Sequence, residues 1–194
     1  MDNKWICANL VCTFACLLSL VLVTLKNPGY LRKSKNWMGM MLAIENSQLC
    51  PDCETVRTSR SRHCAICDRC VERFDHHCPW INNCVGIGNH AYFYLFLFST
   101  LATLAIAFYQ GLRVFVRACK VTYPLEFSSY GDLLNYSPSE GWFFFAIVVH
   151  ILIAGFFLLG VTILIVVQTG NFLTGQTTNE RFSSRPQGTK AEDL

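Results

Sequence analysis

Charge is what this 194-residue sequence has least of: Asp, Glu, Lys and Arg make up 15% of it, against roughly 25% in an ordinary soluble domain. That shortage excludes a normally solvated surface, and the 52% of hydrophobic residues argues for a bilayer as the solvent. The net charge of +3 is too small to imply a nucleic-acid partner, and its distribution says more than its sum. A glycine-rich phosphate loop and coiled-coil heptads are also missing, so neither a P-loop nucleotide site nor a coiled-coil partner is expected.

Three stretches have no charge at all. Trp5 to Leu25 holds 21 residues, enough for about 30 Å of helix at about 1.5 Å per residue, the thickness of a hydrocarbon core. No A-x-A-like site follows it, so the reading is a spanning helix over residues 1–25 rather than a cleaved signal. Cys7, Cys12 and Cys16 within it read as small apolar packing residues. Lys26, Asn27, Pro28 and Gly29 end the run. Trp37, Met40, Met41 and Ile44 then recur at helical spacing, on either a helix lying along the membrane or a partly buried connector. Residues 92–112 and 142–167 are the second and third spans. Tyr92, Phe93, Tyr94, Phe96 and Phe98 crowd the start of the second like an interfacial aromatic belt. His150 in the third reads as an imidazole bonded to a neighbouring helix.

Charge also predicts topology. Nine Lys or Arg residues lie between Lys26 and Asp75, against one lysine between Cys119 and Gly141, where Glu126, Asp132 and Glu140 stand. The positive-inside rule therefore puts residues 26–91 in the cytosol, 113–141 on the lumenal or extracellular side, and the tail 168–194 back in the cytosol. From Arg181 onward the tail is polar and is expected to be disordered.

Seven of the eleven cysteines and three of the five histidines fall between Cys50 and Cys84. One spacing sorts them. Cys50, Cys53, His63 and Cys70 read C-x2-C-x9-H-x6-C, and Cys64, Cys67, His77 and Cys84 repeat it fourteen residues later. Two Cys3His quartets interleave, each matching a closed tetrahedral zinc site. Such sites need reduced thiolates, which also points to the cytosol. A third copy starting at Cys78 would need Ile81, Ala91 and Phe98 as ligands, and none of these binds zinc. Arg57, Arg60, Arg62, Arg69 and Arg73 make the segment basic, either as a solvated face or as a surface for anionic lipid or cofactor phosphates.

The sorting leaves Asp75, His76 and Cys78 unassigned around the ligand His77. A free thiol has a pKa of about 8.5 and needs activation. Each zinc quartet is formally −1 and would oppose a nearby thiolate. His76 must therefore activate Cys78, with Asp75 orienting the imidazole. At the mouth of apolar helices, a nucleophile of this kind suits an electrophile with a polar head and a long apolar tail, such as a fatty acyl thioester.

Asp75 through Gly86 reads DHHCPWINNCVG, which resembles the signature of the DHHC family of protein S-acyltransferases. Thr177-Thr178-Asn179-Glu180 is similar to that family's TTxE motif, and the resemblance extends over roughly Asn27 to Glu180. It implies a mainly α, integral membrane fold with a cytosolic cysteine-rich domain holding two structural zinc ions. It also implies that Cys78 takes an acyl group, commonly palmitoyl, from acyl-CoA and passes it to a cysteine of a membrane-associated protein, the target being juxtamembrane. Asp75 and His76 assist Cys78, and Thr178 contacts Asp75. The family usually has two spans before the zinc segment; here one is predicted, giving three instead of four, through truncation or as a reduced variant. Asn27-Pro28-Gly29 replaces the family's DPG, and Thr58 stands where a proline is common. The competing reading is a catalytically impaired or non-catalytic membrane zinc module that recruits partners.

Overall fold

The computed structural model describes residues 3–44, 48–122 and 138–182. Most of the polar loop expected between Cys119 and Gly141, and the tail beyond Phe182, lie outside the described residues. Among the described residues there are five α-helices: α1 (Asn3–Leu25), α2 (Trp37–Ala43), α3 (His90–Thr122), α4 (Pro138–Thr174) and α5 (Thr178–Phe182). Three contain stretches long and apolar enough to cross a membrane, Lys4–Leu25, His90–Cys119 and Gly141–Thr174. Their lipid-type side chains, such as Leu10, Phe14, Phe156 and Val166, face outward, as a helix solvated by acyl chains requires.

The described residues form two compact units. One comprises Met1–Cys16 and Leu97–Leu164, the other Leu17–Phe96 and Ile165–Leu194. Lipid supplies no hydrophobic drive between helices, so the first unit relies on close approach and a few polar contacts. Gly111 lies so near α4 that an added Cβ would sit 2.8 Å from His150, and at Gly155 it would sit 3.2 Å from Phe108. Asn9 donates to Gln110 at 3.4 Å, and Cys16 and Thr100 share a hydrogen bond at 3.3 Å. His150 Nε2 bonds the Ala107 carbonyl at 3.2 Å, which makes it a helix-to-helix tie.

The second unit carries the cysteine-rich zinc-binding region, built from three two-stranded antiparallel hairpins. These pair β1 (Leu49–Cys50) with β2 (Thr55–Val56), β3 (Arg62–Cys64) with β4 (Arg69–Val71), and β5 (His76–Cys78) with β6 (Asn83–Val85). Strands this short cannot stand alone. Val71, Cys64 and Cys84 form a small buried cluster with Tyr30, Cys67 and Phe74 packed on it.

The segment after α1 is stitched to these hairpins. Pro28 lacks an amide proton and Gly29 takes a φ of 105°, so the helix stops. Its last carbonyls are then taken by one buried side chain: Asn83 Nδ2 reaches the carbonyls of Val23, Thr24 and Lys26 at 3.4, 3.1 and 3.0 Å. Asn83 Oδ1 in turn accepts from the Cys84 amide and the Tyr30 hydroxyl. Gly88 donates to the Pro28 carbonyl at 3.0 Å, and a Cβ there would meet the Asn27 carbonyl at 2.3 Å. Only glycine permits that approach.

Asn83→Ala leaves the Thr24 and Lys26 carbonyls without this amide donor, while the Val23 carbonyl keeps Asn89 Nδ2 at 3.4 Å. It is expected to lower the stability of the unit by about 1–3 kcal/mol, read as a reduced unfolding midpoint in detergent. An unchanged midpoint would show that water replaces the amide at no cost.

Candidate active site and metal clusters

The hairpin registers bring each quartet together. His63 pairs directly across from Cys70, and His77 across from Cys84, which is what the H-x6-C spacing encodes in a strand pair joined by a tight turn. The C-x2-C turn of the preceding hairpin completes each set. The four donor atoms of Cys50, Cys53, His63 and Cys70 lie within 4.8 Å of one another, as do those of Cys64, Cys67, His77 and Cys84. His63 Nδ1 is 3.6, 3.2 and 4.0 Å from the sulfurs of Cys50, Cys53 and Cys70. His77 Nδ1 is 3.7, 3.4 and 3.7 Å from those of Cys64, Cys67 and Cys84. A tetrahedron with arms of about 2.0–2.3 Å has edges of about 3.4–3.8 Å, so both clusters fit a metal ion.

Their electrostatics fit it as well. Burial raises the Cys50 thiol, but the Cys53 amide and the Arg57 guanidinium outweigh it and bring the pKa to about 7. Cys70, buried and crowded by Cys50 and Cys53, is pushed up to about 12. Thiols packed this closely can all ionise only around a cation.

Side chains alternate along a strand. In β5, His77 turns into the second metal cluster, while His76 and Cys78 share the opposite face, where each biases the other's protonation. Cys78 is 5% exposed. His76 Nδ1 donates to Asp75 Oδ2 at 2.7 Å, because an ionised carboxylate can only accept. The edge of the His76 ring meets Phe93 with centroids 5.3 Å apart, which holds the imidazole plane.

Asp75 is 2% exposed, and a carboxylate so placed is costly unless its lone pairs are filled. They are filled by four donors. Thr178 gives its backbone N–H to Oδ1, and His76, Gln168 and the Thr178 hydroxyl donate to Oδ2, the last two at 2.9 and 3.1 Å. The Thr178 oxygen itself accepts from Gln168 at 3.2 Å and Asn171 at 2.8 Å. With both lone pairs used, its one proton must point to Asp75. Burial alone would raise the Asp75 pKa, but the bonds from His76, Thr178 and Gln168 hold it at about 2. Burial disfavours the charged imidazole, yet Asp75 first and Cys78 second lift His76 to about 9. Burial raises the Cys78 thiol, while His76 and the Ile81 and Trp80 amides lower it further than that. The cluster thus favours a thiolate–imidazolium pair.

All four sequence-predicted residues, Asp75, His76, Cys78 and Thr178, meet here. Gln168 and Asn171, each 1% exposed, were not anticipated. They extend α4 beyond the apolar run that ends at Val167, and nothing local in the sequence ties them to Asp75. The role of the TTxE stretch was partly legible. Thr177 accepts from the Glu180 amide at 3.2 Å while Glu180 accepts from the Thr177 amide at 2.7 Å, a capping box that starts α5. Glu180 also takes two bonds from Arg60, at 2.6 and 2.7 Å, and Arg60 reaches the Gly175 carbonyl at 2.8 Å. Phe74, Asp75, His76, His77, Thr178, Asn179 and Phe182 line an open cleft of about 370 Å³.

Arg60→Ala removes both guanidinium bonds and the lock on α5. Charge-assisted bonds contribute about 1.5–3 kcal/mol, so amide hydrogen exchange across Thr178–Phe182 should accelerate roughly 10-fold or more. Unaltered exchange would mean that the capping box alone holds α5.

Comparison with known proteins agrees with this geometry. Residues 43–185 match the family model for DHHC palmitoyltransferase. Palmitoyltransferase Hip14 of Drosophila melanogaster is 36% identical over 143 residues, covering 73% of this chain and 21% of that protein. Palmitoyltransferase ZDHHC17 of Mus musculus is 36% identical over 146 residues, 74% of this chain and 22% of its own length. Palmitoyltransferase SWF1 of Kluyveromyces lactis reaches 51% over 69 residues, 36% of this chain and 21% of SWF1. The matched stretch therefore amounts to about a fifth of the length of each of these relatives. With the family model spanning most of the sequence and both Cys/His clusters assembled beside Asp75, His76 and Cys78, the chain belongs to the DHHC palmitoyltransferase family.

Proposed function

We propose that this chain is a protein S-acyltransferase that carries a long-chain acyl group, palmitoyl in the first instance, on Cys78. The observation that supports this most is that His76 and Cys78 share the face of β5 opposite the metal ligand His77, with Asp75, just before the strand, accepting from His76 Nδ1 at 2.7 Å. The acyl donor in this reading is acyl-CoA, and the acceptor is a juxtamembrane cysteine of a membrane-associated protein. Residues 26–91 and 168–194 face the cytosol and 113–141 the other side, as the excess of Lys and Arg before Asp75 supports. A partner-recruiting module would have no use for a buried carboxylate holding an imidazole against a thiol, so that alternative is not favoured.

The two quartets are proposed to hold zinc, which would supply structure: cross-links between hairpins with no regular core of their own. The reaction itself falls to Asp75, His76 and Cys78. The Cys78 thiolate attacks the carbonyl carbon of the acyl thioester, a new C–S bond forms, and the bond to the CoA sulfur breaks. The imidazolium of His76 gives its proton to the departing CoA thiolate and becomes neutral. The acceptor cysteine then loses its thiol proton to His76 and attacks the Cys78 thioester, and Cys78 leaves as the thiolate that began the cycle. Asp75 keeps Nδ1 protonated throughout, so His76 exchanges protons only through its other nitrogen.

Incubated with palmitoyl-CoA, the detergent-purified chain should take up hydroxylamine-labile label, and Cys78→Ser should take up none. His76→Ala should slow uptake by about 10²–10⁴-fold. Gln168→Met, losing one donor to Asp75, should slow it by about 10-fold with metal content unchanged. Metal analysis should return two zinc ions per chain. Label retained in Cys78→Ser, or one zinc per chain, would overturn the assignment.

A further inference from the structure

The fourteen-residue period does not stop at the second metal cluster. Each hairpin has the same register: Cys50 lies across from Thr55, Cys64 from Arg69, and Cys78 from Asn83, five residues on in every case. Each turn also ends in a residue in the left-handed region: Glu54 at φ 49°, Asp68 at 51° and Asn82 at 45°, again fourteen apart. That conformation is uncommon for residues other than glycine, so finding it three times at one phase marks one repeated turn. The first and third turns close with the same bond, Glu54 N–H to the Pro51 carbonyl at 3.3 Å and Asn82 N–H to the Pro79 carbonyl at 3.2 Å.

Metal ligation follows a rule in this series. Each cluster joins the C-x2-C turn of one hairpin to the His–Cys strand pair of the next. The third turn has no fourth hairpin to face, because the next positions in phase, Ala91 and Phe98, lie on α3. Ile81, 1% exposed, stands where the second cysteine of the turn would be.

We propose that the loop Cys78–Asn82 is a third metal-binding turn built without a metal, repeating the strand register and the left-handed closing residue of the two turns that supply the clusters' C-x2-C pairs. A turn of the metal-site type is thereby put to nucleophilic use. Ile81 is the residue that keeps it free, since a thiol there would give the turn a C-x2-C pair beside the His76 imidazole. The catalytic half of this inference rests on the reading of Cys78 as the acyl carrier; the metal half does not.

Cobalt(II) titration of the full-length, detergent-purified chain tests it, with ligand-field absorption counting tetrahedral sites. The native chain should take up two ions and Ile81→Cys a third, held by His76, Cys78 and the introduced thiol. Ile81→Ser, which has the same reduced bulk and a poorer ligand, should remain at two. Metal-loaded Ile81→Cys should acylate at least 10-fold more slowly than Ile81→Ser. Two ions in Ile81→Cys would overturn the proposal. A second variant tests the turn without asking for a new site. Asn82→Gly should keep acyl uptake, whereas Asn82→Val, strained at a positive φ, should slow it by about 10-fold with two ions retained. Native uptake in Asn82→Val would equally contradict the inference. Should Cys78→Ser still carry label, the acyl-carrier reading falls alone, and the cobalt count still decides the turn.

Discussion

The proposed reaction centre depends on the alternation of side chains along one three-residue strand. β5 reads His76, His77, Cys78, and the middle residue is committed to a metal cluster. Period-two geometry then obliges its neighbours to share the other face, about 6.6 Å apart at Cα, where a histidine can reach a thiol. A slip of one residue in the pairing with β6 would exchange ligand and nucleophile. The facing pair His77 and Cys84, with one metal ion proposed between them, would forbid that slip. The clusters would thus act on the proposed chemistry through register, without a part in it.

Asp75 links this strand to the polar end of α4. A buried carboxylate would ordinarily protonate, and here four donors prevent it, two of them from Thr178 and one from Gln168. Asn171 and Gln168 fill the lone pairs of the Thr178 oxygen and so fix the direction of its proton. The capping box of α5 and the fork of Arg60 on Glu180 hold Thr178 in place. A helix cap, an ion pair and two amides therefore set the charge of one carboxylate, which sets the tautomer of one imidazole.

Much of this was legible in the amino-acid order. Charge-free runs marked the three helices, and the interval of fourteen sorted the ligands, because metal sites impose both residue type and spacing. Asp75, His76 and Cys78 stood out as what remained. Gln168 and Asn171 did not, since a polar residue after an apolar run carries no signal of its partner, whether Asp75 ninety-three positions before Gln168 or Thr178 seven after Asn171. Asn83 was equally silent as a cap for α1, 57 to 60 residues away. The third turn lacks ligands at the spacing of the other two, although its backbone repeats theirs: ligand spacing reports metals, whereas a left-handed residue such as Asn82 reports the turn itself.

The central claim is that, of eleven cysteines, the one outside the metal clusters on β5 carries the acyl group. The most direct measurement is peptide-level mass mapping of thioesters after brief exposure of the native chain to palmitoyl-CoA. The account predicts the acyl mass on the peptide containing Cys78, with the cluster cysteines and Cys7, Cys12, Cys16 and Cys119 unmodified. Acylation of a helix cysteine with Cys78 left free would contradict it.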